Sequence, residues 1–254
     1  MKNNIKIFIL SLLIFILLAK VLIIFVENHP PIVDNQQSKE KVYIPDYTGE
    51  KILYFISPIG RSEYNNLGVV DLKGVKVNLI TFKTKVLLFE DLEKIYSDPV
   101  TLLPLKIERT ISRFLGKEYI TEEYDQKNFT VTFRKFKGKK LVKEQIAKAK
   151  GPIHNAITLP FYLRGRPNLK IGWHFIARVP DEFKLELVSI DKISIPAGKF
   201  QAYHFKSIPN KFEIWINKED PRVPLKIQGK GIFDYALLMK KYVLVSTPTQ
   251  KLIK

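Results

Sequence analysis

The chain has 254 residues and no cysteine, only two methionines, two tryptophans and four histidines. Without cysteine there is no disulfide framework, no thiolate-held zinc or iron–sulfur cluster, and no cysteine nucleophile. Acids are also scarce. Against 42 Lys+Arg stand 25 Asp+Glu, a formal net charge of +17. A surplus of that size asks for an acidic partner: nucleic acid, anionic lipid or an acidic substrate. There is no low-complexity block, and 46% of the residues are apolar and 12% aromatic, which excludes wholesale disorder and a fibrous protein. The length suits one domain or two small ones with a real core.

One long apolar run is present. Residues 5–26 read IKIFILSLLIFILLAKVLIIFV, with Lys6, Ser11 and Lys20 as the polar positions. Ile7–Val26 would span about 30 Å as a helix, the hydrocarbon thickness of a bilayer. Lys20 is close enough to the end to snorkel. Lys2 and Lys6 precede the run and Glu27 and His29 follow it. The positive-inside rule then keeps the N-terminus cytoplasmic and translocates the body. A cleaved signal peptide is the rival reading, but its apolar region is shorter (~7–15 residues) and ends in a small-x-small site absent here. Residues 1–27 are thus expected to be a membrane anchor or signal segment. Residues 28–47, with Pro30, Pro31 and polar Asp34–Lys41, read as a linker, 48–245 as a β-rich exported domain, and 246–254 as a tail. The expected location is single-pass in the inner membrane with a periplasmic or extracytoplasmic body.

The body alternates short Val-, Ile-, Phe-, Tyr- and Thr-rich runs with turns, about a dozen in all. The expected fold is mainly β: a single antiparallel curved sheet, or a half-open barrel, packed on one short helix. Lys140–Lys150 reads equally as helix or strand. Ile153–Leu163 is the helix candidate, with Asn155 as its cap and Pro160 expected to kink or shorten it. Asp98–Glu108 (DPVTLLPLKIE) and Asp220–Gln228 (DPRVPLKIQ) echo one another. Each is expected to be a hairpin turned by Asp-Pro in type I geometry.

The search for chemistry gives little. His29, His154, His174 and His204 have no metal-ligand spacing, and no nucleophile elbow, phosphate loop or dinucleotide fingerprint is present. His174 and His204 have one route to a site, meeting across strands with Asp191 or Asp220. Adjacent carboxylates such as Glu90/Asp91 and Glu122/Glu123 face opposite sides of a strand and cannot share a substrate. No metal, cofactor or catalytic role is expected. Phe133–Lys150 is lysine-rich, and reads as a solvated rim, an anionic-lipid surface or, least, a nucleic-acid surface. Eight of the 42 basic residues are Arg. That bias disfavours phosphate reading, and an exported body does not meet chromosomal DNA.

Five motifs in order carry a family resemblance. They are Gly49–Tyr54 (GEKILY), the Asp98–Pro104 turn (DPVTLLP), Leu159–Arg164 (LPFYLR) followed by Leu169–Gly172 (LKIG), Ile195–Phe200 (IPAGKF), and Trp215 with Pro221–Ile227. Over residues 48–243 the sequence resembles the domain of unknown function 3108 family. The resemblance implies an exported bacterial protein. Its DPxTxLP turn is also similar to one in periplasmic lipoprotein carriers, which wrap a half-barrel over a helix around an apolar cavity. Asn155 stands where the family usually has Asp, and Pro160 interrupts the helix.

The expected function is therefore a membrane-tethered, non-catalytic binding module for an apolar or amphipathic envelope ligand, a lipid acyl chain or a lipoprotein. Ile157, Phe161, Tyr162, Trp173, Phe175, Phe205, Trp215 and Phe233 are the expected lining, with core packing as the competing role of each. The partners would be the membrane through the N-terminal helix, a lipid or lipoprotein, and an anionic envelope surface, with no nucleic acid. The alternatives are a scaffolding protein of envelope assembly and a hydrolase of envelope polymers.

Overall fold

Period-two alternation builds the body. In Arg61–Leu72, for example, Ser62, Tyr64 and Asn66 are buried while their neighbours face outward. A computed structural model of the chain describes residues 47–114, 116–179, 181–230 and 234–245. The expected anchor, nearly all of the expected linker, and the tail lie outside the described residues. Among those described, no helix is long and apolar enough to cross a membrane.

The first eight strands are β1 (Glu50–Ser57), β2 (Arg61–Leu72), β3 (Val75–Val86), β4 (Phe89–Ser97), β5 (Pro104–Arg113), β6 (Gly116–Asp125), β7 (Thr130–Lys137) and β8 (Lys140–Lys148). After helix α1 (Leu159–Arg164) come β9 (His174–Val179), β10 (Asp181–Ile195), β11 (Gly198–Ile208), β12 (Phe212–Asn217), β13 (Pro224–Gly229) and β14 (Tyr235–Leu244). All fourteen form one sheet in the order β8-β7-β6-β5-β4-β3-β2-β1-β14-β13-β12-β11-β10-β9. Two antiparallel meanders are thus joined where β1 pairs with β14, from Glu50 opposite Leu244 to Ser57 opposite Ala236. Lys140–Lys148 resolves as edge strand β8. Some turns are short and lack the usual breakers: Val86 pairs with Phe89 across Leu87 and Leu88.

The sheet is not closed into a barrel, since β8 and β9 are its two edges. One short stretch ties the two halves together. Gln126, in the β6–β7 turn, accepts a hydrogen bond from the Ile153 amide (3.0 Å) and donates one to the Ile153 carbonyl (2.9 Å). The next residue, His154, donates its amide to the Arg178 carbonyl on β9 (2.6 Å) and accepts from the Arg178 amide at Nδ1 (3.2 Å). Burial and the neighbouring Arg178 and Arg166 drive the His154 pKa down to about 3, so the ring is a neutral acceptor.

The helix is shorter than expected. Asn155 Oδ1 accepts from the amides of Ile157 (2.9 Å) and Thr158 (3.2 Å), and the Leu159 amide bonds the Asn155 carbonyl (2.9 Å). Asn155 therefore closes a turn before the helix instead of capping the helix itself. Pro160 falls in the helix's first turn, where a missing N–H costs nothing, so it sets the start of α1 and does not kink it.

The helix separates two cores. Phe161 stacks on Tyr64 (ring centroids 3.9 Å apart) and joins Ile52, Tyr54, Ile80, Ile95 and Ile107. Leu159 and Leu163 join Phe175, Leu185, Leu187, Phe205, Ile214 and Ile216. The two Asp-Pro echoes are the β4–β5 and β12–β13 hairpins, as expected. Leu102 and Arg222, each two residues before the strand-opening proline, share positive φ (55° and 52°). Both meet the helix segment: the Thr158 hydroxyl donates to the Leu102 carbonyl (3.5 Å) and Arg222 Nη1 to the Arg166 carbonyl (2.9 Å). The expectation of one shared turn type is corrected. Asp98 Oδ1 accepts from the Val100 and Thr101 amides, whereas the Asp220 side chain is 91% exposed and the Asp220–Pro221 peptide is cis.

Candidate functional site

The β10–β11 turn leans onto β14, where the Ala197 amide donates to the Met239 carbonyl (3.1 Å). A register shift follows in β14. Leu53 pairs with Lys241 and Tyr54 with Met239, so Lys240 is an extra residue without a partner in β1. Such a bulge re-aims its neighbours. Between the turn, the bulge and the β12–β13 hairpin lies a groove of about 290 Å³ lined by Ala197, Phe200, Asn217, Pro221, Val223, Leu225, Met239, Lys240, Lys241 and Tyr242. Its floor is apolar, since Val223, Leu225 and Met239 are buried core residues. Its rim carries exposed Lys240 and Lys241, and no carboxylate is among the lining side chains. Within the lining, burial and the Glu50 carboxylate push the Tyr242 phenol up to about 12, which keeps it neutral. Chemically the site offers an apolar slot and two exposed cations.

The lining expected from sequence lies elsewhere. Phe161 and Trp215 are buried, and Ile157 partly so, in the core that also supplies Val223, Leu225 and Met239 to the groove floor. Phe175 and Phe205 are buried in the second core, with Tyr162 and Trp173 against it. Trp173 meets Phe205 edge-on at 6.1 Å and Tyr162 lies 5.1 Å from Phe175. Phe233 lies outside the described residues. The sequence signals for the groove were the adjacent Lys240 and Lys241 after an apolar run, and the turn residues on either side of it. They could not be joined without the pairing of β1 with β14.

Of the histidine pairings weighed from sequence, His204 with Asp191 forms, and His174 is elsewhere, with Nδ1 3.4 Å from the Gly172 carbonyl. Cross-strand register sets Ser189, His204, Trp215 and Lys226 in one row, on the face opposite Phe205 and Ile214. His204 Nδ1 is 2.9 Å from Asp191 Oδ2, and Nε2 is 2.8 Å from Glu213 Oε2. Trp215 stacks on His204 (4.1 Å) and donates its indole N–H to Asp191 (3.0 Å), while Lys226 Nζ sits 4.1 Å over the Trp215 ring. Burial alone would raise the Asp191 carboxyl, but bonds from Ser189, Trp215 and His204 hold it below its ordinary value. The Ser189 hydroxyl donates to Asp191 at 2.7 Å, so its proton points at a carboxylate rather than at the imidazole. This row is a cross-strand clamp. Among the described residues no group of His, Asp and Glu is arranged to hold a metal.

A second buried polar cluster spans β4–β6. Arg109 bonds Asp91 through Nε (2.9 Å to each oxygen) and Nη2, and lies 3.6 Å from Glu93. Tyr124 donates to Glu122 at 2.5 Å. With Asp91 claiming the guanidinium, burial pushes Glu93 up to about 8.

The fold and groove define a class: an open antiparallel β-meander wrapped on a short helix, with a cation-rimmed apolar slot. Residues 70–233 match the family described as "Protein of unknown function (DUF3108)", and the chain belongs to that family. None of the curated proteins compared matches it. Among solved structures it is similar to a beta-barrel-like protein of the domain of unknown function DUF1849 from Brucella abortus, with 9% identity over 77% of this chain and 97% of that one and a TM-score of 0.47. It is also similar to a provisionally described lipoprotein from Parabacteroides distasonis, with 8% identity over 81% of this chain and 100% of that one and a TM-score of 0.30.

Proposed function

We propose that the chain is an exported, membrane-tethered, non-catalytic binding module for a single-chain amphiphile with an anionic head, such as the acyl chain of an envelope lipid or lipoprotein. The observation that carries this is the groove: a floor of Val223, Leu225 and Met239 under Lys240 and Lys241, with no lining carboxylate. Its volume of about 290 Å³ lies just below the ~300–1,000 Å³ typical of ligand sites, which suits part of one chain rather than a whole diacyl lipid. The tether is the apolar run at 5–26, and export follows from the charges that flank it. Phe161 and Trp215 act from behind, as the packed core that keeps the floor rigid. Native mass spectrometry of the full chain extracted from membranes tests the reading. A co-purifying fatty-acyl species supports it, and a ligand-free spectrum under conditions that retain lipid on a known carrier counts against it.

A further inference from the structure

In an antiparallel meander, alternate turns fall at the same end of the sheet. The β1–β2, β3–β4, β5–β6 and β7–β8 turns therefore share one rim. Because Ser57 pairs with Ala236 at the start of β14, the β11–β12 turn stands at that rim too. The β2–β3, β4–β5, β6–β7 and β12–β13 turns stand at the opposite end.

The two ends differ in chemistry. At the opposite end Asp71, Asp98 and Asp125 each accept backbone amides within their own turns, from Gly74, from Val100 and Thr101, and from Lys127 and Asn128. The β2–β3 reversal uses Lys73-Gly74, both at positive φ, as a tight hairpin requires. The β3–β4 reversal instead uses Leu87-Leu88. Leu87 takes φ 51°, a conformation that suits Gly or Asn, and the two leucines are 49% and 76% exposed. Ile59 (48%), Phe114 (83%) and Ile208 (47%) are exposed at the neighbouring tips, whereas the opposite end exposes the smaller Val75 (54%) and Val100 (67%). A leucine in a left-handed turn, facing water, opposes both the backbone preference and the hydrophobic effect.

Charge separates the ends as well. Residues Ser57–Arg61, Val86–Phe89, Arg113–Gly116 and Lys137–Lys140 contain Arg61, Arg113, Lys137, Lys139 and Lys140 and no acid, although Arg113 pairs with Glu118 and the β9–β10 turn at the same rim carries Asp181. At the other end, Leu72–Val75, Ser97–Pro104 and Asp125–Thr130 balance Lys73 and Lys127 with Asp98 and Asp125. Apolar tips beside the Lys137–Lys140 cations match the two layers of an anionic bilayer surface. The tips reach the acyl boundary while Lys and Arg stay with the phosphates.

We propose that this rim docks on an anionic lipid bilayer through Ile59, Leu87, Leu88 and Phe114, with Lys137, Lys139 and Lys140 supplying the electrostatic contact. The groove's β12–β13 turn belongs to the other end of the sheet, so either site can fail alone.

The absence of cysteine makes single-site labelling of the full chain direct. Leu88→Cys, Phe114→Cys and, as an opposite-end control, Val100→Cys are labelled with an environment-sensitive fluorophore. The chain is then reconstituted into vesicles of phosphatidylcholine, with or without phosphatidylglycerol. The expected result is a blue shift and a several-fold emission rise at positions 88 and 114, with phosphatidylglycerol only, and no change at position 100. Each lysine near such a surface contributes roughly a fivefold factor, so Lys137→Gln, Lys139→Gln and Lys140→Gln together lower the docked fraction's equilibrium on the order of a hundredfold. Signals at 88 and 114 that match position 100, or that are equal in both vesicle types, overturn the proposal.

Discussion

Glu50 and Arg164 form a two-pronged ion pair sealed from solvent: Nη1 is 2.6 Å from Oε1 and Nη2 2.9 Å from Oε2. The side chains are 0% and 3% exposed, and the Tyr47 ring covers the guanidinium at 3.7 Å. This contact fastens the last residue of the helix to the first residue of β1, where the two meanders join. Removing one partner strands a buried charge, so Glu50→Gln or Arg164→Met is expected to lower stability by about 3–5 kcal/mol. The double replacement Glu50→Leu with Arg164→Met recovers most of that loss. Denaturant unfolding of the three variants checks both statements.

Glu93 gives the protein a pH dependence of definite sign. Its folded value of about 8 lies above the 4.5 of an ordinary glutamate. Between those values the unfolded chain has released a proton that the folded chain still holds, so stability falls as pH rises through that window. Glu93→Gln flattens this part of the profile and is most stabilising, by a few kcal/mol at most, above pH 8. Unfolding midpoints at pH 5, 7 and 9 would show it, and an unchanged slope in the variant would sink the assignment.

Gly229 pairs with Tyr235 across β13 and β14, and the tyrosine ring lies over the glycine. A Cβ at Gly229 would stand 2.2 Å from Tyr235 Cε1. Gly229→Ala is therefore expected to cost about 1–3 kcal/mol through overpacking. Pairing the change with Tyr235→Ala relieves the clash, so a double-mutant cycle should return strong coupling between the two sites.

The strands were legible from β-branched and aromatic runs set between turns, with clear period-two burial in β1 and β2. The family was legible from turns whose residues are fixed by backbone geometry, such as Asp98–Pro104. Two kinds of feature were hidden. The Leu87-Leu88 reversal lacks Gly, Asn or Pro, so one apolar run concealed the end of β3 and the start of β4. The groove depends on β1 pairing with β14, 190 residues apart where Ile52 faces Tyr242, and the surroundings of Lys240 are set by a bulge that no local pattern announces. Phe161, Trp215, Phe175 and Phe205 are buried in the two cores, and apolar spacing alone is the same for a core residue and a cavity wall.

The central claim is that an acyl chain lies in the groove with its head at Lys240 and Lys241. A diazirine-bearing fatty acid, photoactivated with the full chain in vesicles and followed by peptide mass spectrometry, reads its position directly. The account predicts adducts on Pro221–Leu225 and Met239–Tyr242, reduced roughly tenfold or more in Lys240→Glu with Lys241→Glu, since each removed cation near an anionic head is worth about 1 kcal/mol and each reversal more. Adducts confined to residues 5–26, or groove adducts indifferent to the two reversals, would contradict it.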